Sequence, residues 1–311
     1  MVRALGPPSD PLPKARRVWR WNPPAASARW WWCRVYHRGK HVPDGITFRR
    51  YGPKARFDHH LPADPPVVDK TGRRVLYVGE DLATSACEVF GEAGVAAICP
   101  NYRVAIIAPT TTLAMFDLAA KGAALAIGAL PALGDGNEAR SLTQQWARAI
   151  YKDQPAGPGI TGIHYRSGYN SGESLALWDC DADVEVVRDG GGHPQDIALN
   201  DPRILPRLQV LLRRRQISIT TVTSSECGEC KKEALAPWQH RLVPCDALAE
   251  GRAPPAPAHA GGTRRSNDCR SEVDKSTHPP VTCDPGPTGS RNSSANRPRY
   301  LHTPMVGYAA R

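Results

Sequence analysis

The spacing of apolar residues along this chain changes several times, and each change predicts an element. From Arg73 to Gly79 the run RRVLYVG is rich in β-branched and aromatic residues and predicts a strand, as does YRVAIIAP from Tyr102 to Pro109. Between them the period lengthens to that of a helix. Leu82, Ala86 and Val89 fall at i, i+4 and i+7, with Asp81 placed to cap the first turn and Gly91 or Gly94 to end the last. Two further helices are predicted, one through LAMFDLAAKGAALAI and one through EARSLTQQWARAIY, where Leu142, Trp146 and Ile150 recur at every fourth position. Strands are predicted at GIHYRS, ESLALWD and DVEVVRD, then a helix at PRILPRLQVLLRRR leading into the strand ISITTVT. Helices and strands do not alternate regularly, and no Gly-x-Gly-x-x-Gly follows a strand. The predicted class is therefore α+β, not a doubly wound nucleotide-binding sheet.

The ends of the chain read differently. Residues 1–30 are rich in Pro, Arg and Trp without an apolar face and are expected to be a poorly ordered arm, with the folded domain running from Trp31 to Thr223. Trp30, Trp31 and Trp32 are read as packing residues, not as a platform for nucleic-acid bases. Residues 224–249 form a transition, and 250–311 are a low-complexity basic tail expected to be disordered.

Charge sharpens this division. The net +10 comes from the ends: residues 1–50 carry eleven Lys or Arg against two acids, and residues 251–311 nine against four, which leaves about −4 for the rest. A basic groove in the folded part is thus unsupported, and binding of nucleic acid is expected, if at all, through the tails. The longest apolar run, Gly122–Gly134, is shorter than the roughly 18–20 residues of a membrane span and contains a proline. No apolar leader is evident, and nine cysteines form an odd set without the regular spacing of a disulfide scaffold. A soluble protein of the reducing cytoplasm is expected.

Chemistry concentrates in four segments. CRVYHR carries Arg34 and KARFD carries Arg56; RRVLYVGEDLATSACEVF sets Tyr77 eleven residues before Glu88; GIHYRSGYNSGESLALWD carries Tyr165 and Ser167. In that order and in those contexts they resemble the RES domain family, named for its Arg, Glu and Ser, over about Cys33 to Thr223. Gly168 departs from the many members that carry a second basic residue after the serine. The resemblance implies a compact mixed fold related to ADP-ribosyltransferases. It also implies degradation of NAD, toxicity, and restraint by a cognate antitoxin, commonly a small helical DNA-binding protein.

The residue types suit that reaction. Nicotinamide leaves a pyridinium as a neutral base and needs no protonation, so one carboxylate can suffice where ordinary glycosidases use two. Glu88 would stabilise the oxocarbenium-like transition state and fix the ribose hydroxyls. Without the resemblance it would read as a solvated glutamate opposite the Leu82, Ala86, Val89 stripe. Arg34 and Arg56 would hold the pyrophosphate, since planar guanidinium forks match phosphate oxygens. Tyr77 would stack on nicotinamide or donate to the ribose, Tyr165 would line the substrate, and Ser167 would orient an amide or a hydroxyl. The catalytic set is accordingly Glu88, Arg56, Tyr77 and Ser167. NAD is the substrate, inorganic phosphate or water the acceptor, with transfer of ADP-ribose to a macromolecule as a close variant, and no cofactor is called for. Glu92, one turn after Glu88, has no counterpart in the motif and should matter little. His59 and His60 read as exposed loop residues, and His164 as a strand residue with a satisfied hydrogen bond.

Two readings of other classes compete: a nucleic-acid-binding protein acting through its basic tails, and a catalytically inactive RES binding module. Cys227 and Cys230, with His240 and Cys245 beyond, make a candidate zinc set, but one Cys-x-x-Cys beside a low-complexity tail is expected to be two free thiols, and no metal is predicted.

Overall fold

A mixed sheet of nine strands organises the chain, as the α+β reading anticipates. The computed structural model describes residues 4–24, 31–136 and 138–235. Its strands are β1 (Val18–Trp21), β2 (Trp32–His37), β3 (Tyr51–Gly52), β4 (Val67–Val68), β5 (Val75–Gly79), β6 (Val95–Ile98), β7 (Tyr102–Pro109), β8 (Leu113–Asp117), β9 (Ile160–Arg166), β10 (Glu173–Trp178), β11 (Val184–Val186), β12 (Asp196–Ala198) and β13 (Ser218–Thr221). Its helices are α1 (Leu82–Phe90), α2 (Ala123–Ala126), α3 (Ala132–Asp135), α4 (Arg140–Asp153), α5 (Leu205–Arg213) and α6 (Gly228–Leu235).

The main sheet runs β1-β8-β9-β10-β5-β2-β7-β11, with β12 also paired to β7 and a parallel step only between β8 and β9. It is strongly curled. Five strand steps separate β1 from β2, roughly 24 Å in a flat sheet, yet the rings of Trp19 and Trp32 lie 5.7 Å apart and those of Trp21 and Trp32 6.2 Å apart. The inner face is filled by the sheet's own residues, among them Trp21, Trp32, Tyr36, Leu76, Val78, Ile107, Met115 and Leu177. On the outer face two clusters lie side by side. Helix α4 and the N-terminal segment cover β5, β9 and β10, while α1 and α5 cover β2, β6 and β7.

Several expectations change. Residues 4–24 are not a loose arm: Leu5, Leu12, Ala15 and Trp21 are buried, Trp146 donates to the carbonyl of Gly6 at 2.9 Å, and β1 pairs with β8 from Val18 to Trp21. Arginines and prolines masked an apolar subset spaced too irregularly to show a period. The helix predicted through residues 113–127 is a strand followed by one short helix. Leu113 and Met115 point to the inner cluster and Phe116 to the outer one, and pairing with β1 and β9 outweighs the helical propensity of the alanines and leucines. Trp32 is buried, as its packing assignment requires, and among the described residues no helix is long and apolar enough to cross a membrane.

Candidate functional site

The seam between the two outer clusters receives side chains from α1, the segment after β3, β5, and the loop from β9 to β10. Helix α1 starts as predicted: the Asp81 carboxylate accepts from the backbone N–H of Thr84 at 2.7 Å, and the Gly91 N–H closes the last turn on Cys87. The helix is pressed onto the sheet. A side chain at Gly79 would meet the backbone nitrogen of Ser85 at 2.7 Å, and the backbone N–H of Val35 donates to the Ser85 hydroxyl at 2.6 Å.

The buried stripe of α1 is Ala83, Ala86, Cys87 and Phe90, and Val89 is 41% exposed, so the helix is rotated from the predicted Leu82, Ala86, Val89 face. That rotation brings Glu88, one turn beyond the buried Thr84, to the flank of the stripe. Its Oε1 is buried and finds no hydrogen-bond partner in the protein, which removes the solvated-glutamate reading. Burial pushes the carboxyl above its ordinary range, and the Ser167 hydroxyl, donating to it, and the Arg56 guanidinium draw it partly back. Glu92 is 71% exposed along its side chain and ion-paired with Arg140.

Arg56 faces this carboxylate. One Nη2 hydrogen bond reaches the carbonyl of Leu133 at 3.2 Å, and the guanidinium lies over the rings of Phe57 at 5.0 Å and Tyr165 at 5.5 Å. Its Nε and Nη1 are buried without a protein acceptor. Tyr165 is itself buried, edge-on to Phe57 at 4.7 Å, and forms the floor under the arginine. Ser167 is buried at the mouth of a loop closed by its N–H to Gly172 O at 2.8 Å, and Asn170 ties that loop back to α1 by donating to the Thr84 hydroxyl at 3.1 Å.

Tyr77 reaches the same region, but its hydroxyl is committed. It donates to Asp58 Oδ1 at 2.8 Å and accepts from the backbone N–H of Phe57 at 3.1 Å. Asp58, which the motif did not single out, is the hub of the segment that carries Arg56. It is fully buried, takes two hydrogen bonds of 2.8 Å from Arg49, and accepts from the backbone N–H groups of Lys54 at 2.5 Å and Ala55 at 3.1 Å. Burial alone would raise its carboxyl; Arg49 and the backbone donors outweigh that and hold it below the ordinary range. A bare Arg-Phe-Asp triplet carried no sign of this, because Arg49 is recruited from nine residues upstream by the turn.

Arg34 is not brought to the seam. Strand alternation puts residues 32, 34 and 36 on the inner face, where the Arg34 Nη1 donates to the carbonyls of Gly45 and Thr47 at 2.8 and 2.9 Å and the guanidinium lies 5.2 Å over Tyr36. His59 and His60 are buried, not exposed: His59 Nε2 meets Asp179 Oδ2 at 3.1 Å and His60 Nε2 meets the Arg49 carbonyl at 3.2 Å. The burial of His59 follows from packing against Tyr151 and Trp178, which lie far away in sequence, and His60 packs in turn against His59 at 5.7 Å. His164 makes the strand hydrogen bond expected of it, with Nδ1 2.9 Å from Asp117 Oδ1 and its ring stacked on Trp19 at 4.7 Å, but its Nε2 is buried without a hydrogen bond, 3.5 Å from Glu173 Oε2.

A cavity of about 370 Å³ adjoins these elements, lined in part by Leu118, Lys121, Pro131, Gly134 and Arg166. Gly134 follows the Leu133 that holds Arg56, and Arg166 precedes Ser167. Two cations at its wall suit an anionic ligand. Away from the seam, His37, Cys99, Cys227 and Cys230 bring four ligand atoms within 4.8 Å of one another.

Residues 17–200, more than half of the chain, match the RES domain. No curated protein sequence matches the chain. Among solved structures, the crystal structure of the M. tuberculosis MbcT–MbcA toxin–antitoxin complex matches with 18% identity over 58% of this chain and 88% of that chain, at a TM-score of 0.38.

Proposed function

The chain belongs to the RES domain family, and we propose that it is an enzyme that breaks the bond between nicotinamide and ribose in NAD and hands the ADP-ribosyl group to inorganic phosphate or water. One observation carries this reading: Glu88 Oε1 and two nitrogens of Arg56 are buried near one another with no protein partner for the oxygen or for either nitrogen. Leaving buried polar groups unpaired costs stability, about 1–3 kcal/mol each and more when charged. An anionic ligand with ribose hydroxyls repays that cost, its hydroxyls donating to Glu88 and a phosphate oxygen accepting from Arg56.

In the reaction the electron pair of the glycosidic bond leaves with the ring nitrogen, so the pyridinium becomes neutral nicotinamide without a general acid. The positive charge that grows on the ribose is met by the Glu88 carboxylate. Low local polarity strengthens that interaction. An acceptor oxygen then bonds to the anomeric carbon, giving ADP-ribose from water, with loss of a proton to solvent, or its 1-phosphate ester from phosphate. Ser167 holds the carboxylate by donating to it, and Tyr77 acts through Asp58 to hold the Arg56 segment in place. On the same reading the enzyme is the toxin of a toxin–antitoxin pair, restrained by an antitoxin that covers the seam.

Incubation of the purified chain with NAD, with and without phosphate, tests this directly. Nicotinamide release is expected, and the product formed with phosphate present identifies the acceptor. Folded protein that releases none under either condition would remove the proposal. Two further outcomes are expected. Arg56→Gln raises KM for NAD by about 10- to 100-fold, the equivalent of one charged hydrogen bond, whereas Arg34→Gln lowers thermal stability and leaves KM unchanged. The pH profile carries a second signature. The active form is the ionised carboxylate and its protonation is favoured by burial, so kcat/KM falls on the acid side at a pH above the ordinary 4.5 of a glutamate. Ser167→Ala, which removes a hydrogen bond to the charged form, moves that limb to higher pH.

A further inference from the structure

The Cys-x-x-Cys at 227–230 opens α6, and the chain returns two distant ligands to it. His37 ends β2 and Cys99 opens the turn after β6, accepting at its carbonyl from the backbone N–H of Tyr102 at 3.1 Å. His37 Nε2 lies 3.2 Å from Cys230 Sγ, 3.6 Å from Cys99 Sγ and 3.9 Å from Cys227 Sγ, while Cys99 Sγ and Cys230 Sγ are 3.7 Å apart. A tetrahedral zinc ion with bonds of about 2.3 Å to sulfur and about 2.0–2.1 Å to nitrogen has edges of about 3.8 Å between sulfurs and about 3.6 Å between sulfur and nitrogen. The separations are those of ligands around one ion. We infer that His37, Cys99, Cys227 and Cys230 form a structural zinc site.

Three further features fit. None of the described cysteines is in a disulfide, so the thiols are free to ligate. Asn101 Nδ2 donates to Cys230 Sγ at 3.4 Å, the kind of outer hydrogen bond that supports a thiolate ligand, and the Tyr102 ring stands edge-on to His37 at 5.0 Å and fixes the imidazole. The third concerns α6 itself. It has eight residues, too few to be stable alone, and among the described side chains of residues 227–234 Cys227 and Cys230 join the core cluster while Lys231, Lys232 and Ala234 are exposed. Four bonds to one ion would anchor to the sheet a helix that has little apolar surface to bury. All four positions are filled by protein, which is the arrangement of a structural ion and leaves no open position for substrate. His240 and Cys245, which lie outside the described residues, are not needed to complete it.

Metal analysis of the full-length chain, purified without chelator, tests the assignment. About one zinc ion per chain is expected. The double variant Cys227→Ser/Cys230→Ser should fall below about a tenth of that, while His240→Ala/Cys245→Ser retains the full amount. Because loss of both thiols also removes the anchor of α6, cobalt replacement in the wild-type protein gives an independent reading. Tetrahedral ligand-field and thiolate-to-cobalt bands are expected, and His37→Cys should keep the ion while strengthening the charge-transfer band. Wild-type protein that stays folded and metal-free after incubation with zinc overturns the site, as does zinc retained by the Cys227/Cys230 double variant. Iron found in place of zinc overturns the identity of the ion.

Discussion

Glu88→Gln is expected to lower kcat/KM for nicotinamide release by about 10²- to 10³-fold or more, the range seen when one group that stabilises transition-state charge is removed. Glutamine fills the same volume and still accepts hydrogen bonds from ribose hydroxyls, so what is lost is the negative charge opposite the developing cation. Ground-state affinity should change little, placing the loss in kcat. Stability should move the other way. A carboxyl whose folded pKa lies above its unfolded value opposes folding once pH exceeds the unfolded value. Removing it leaves stability unchanged below about pH 4.5 and raises it at pH 7. Glu92→Gln removes an exposed ion pair with Arg140, and its activity should stay within about twofold of wild type. Steady-state kinetics with thermal melts on the two variants checks both signs. A Glu88→Gln enzyme that is both inactive and less stable would point to a structural role instead. Production in bacteria gives a cellular counterpart: wild type depletes NAD and stops growth, and Glu88→Gln does neither.

Asp58→Ala should be the most damaging single change to the fold near the site. It leaves the guanidinium of Arg49, the Tyr77 hydroxyl and two backbone N–H groups without their shared acceptor, a carboxylate that is itself fully buried while the Arg49 side chain is 23% exposed. Removing one partner of a buried charge pair costs about 3–5 kcal/mol, which for a domain of this size lowers the melting temperature by roughly 6–20 °C. Tyr77→Phe, which deletes one neutral donor from the same network, should cost about 1 kcal/mol. The pH dependence follows from the depressed carboxyl. Its stabilising contribution is complete above the unfolded value of 3.8 and is lost as pH falls through the lower folded value, so the gap between wild type and Asp58→Ala narrows in acid. Urea unfolding at neutral pH and near pH 3 measures this. A gap that is the same at both would mean that Asp58 stabilises by shape alone.

Local pattern carried part of this structure a long way. The strand ending at Gly79, the Asp81 cap, helix α1 and its stop at Gly91, the strand from Tyr102 to Pro109 and helix α4 were all legible, because each rests on contacts or caps within a few residues. Glu88, Arg56 and Ser167 were legible through their motif. Where reading failed, the cause was distant pairing. Leu113–Asp117 becomes a strand because β1 and β9 flank it, and the N-terminal residues are ordered because α4 and β8 bury them. His59 is interior because Tyr151 and Trp178 cover it.

The sequence by itself determined an α+β chain, since short-range periodicity and caps are properties of neighbouring residues, and its motifs with Arg56, Glu88 and Ser167 in that order carried the resemblance to the RES family. The tertiary structure decided which of those residues share a site. Strand parity turned Arg34 to the inner face, a rotation of α1 turned the Glu88 carboxylate into the seam beside Arg56, and β2, β6 and α6 converged on the four metal-ligand atoms. Burial and facing depend on what packs across from a residue, and that partner is often a hundred positions away.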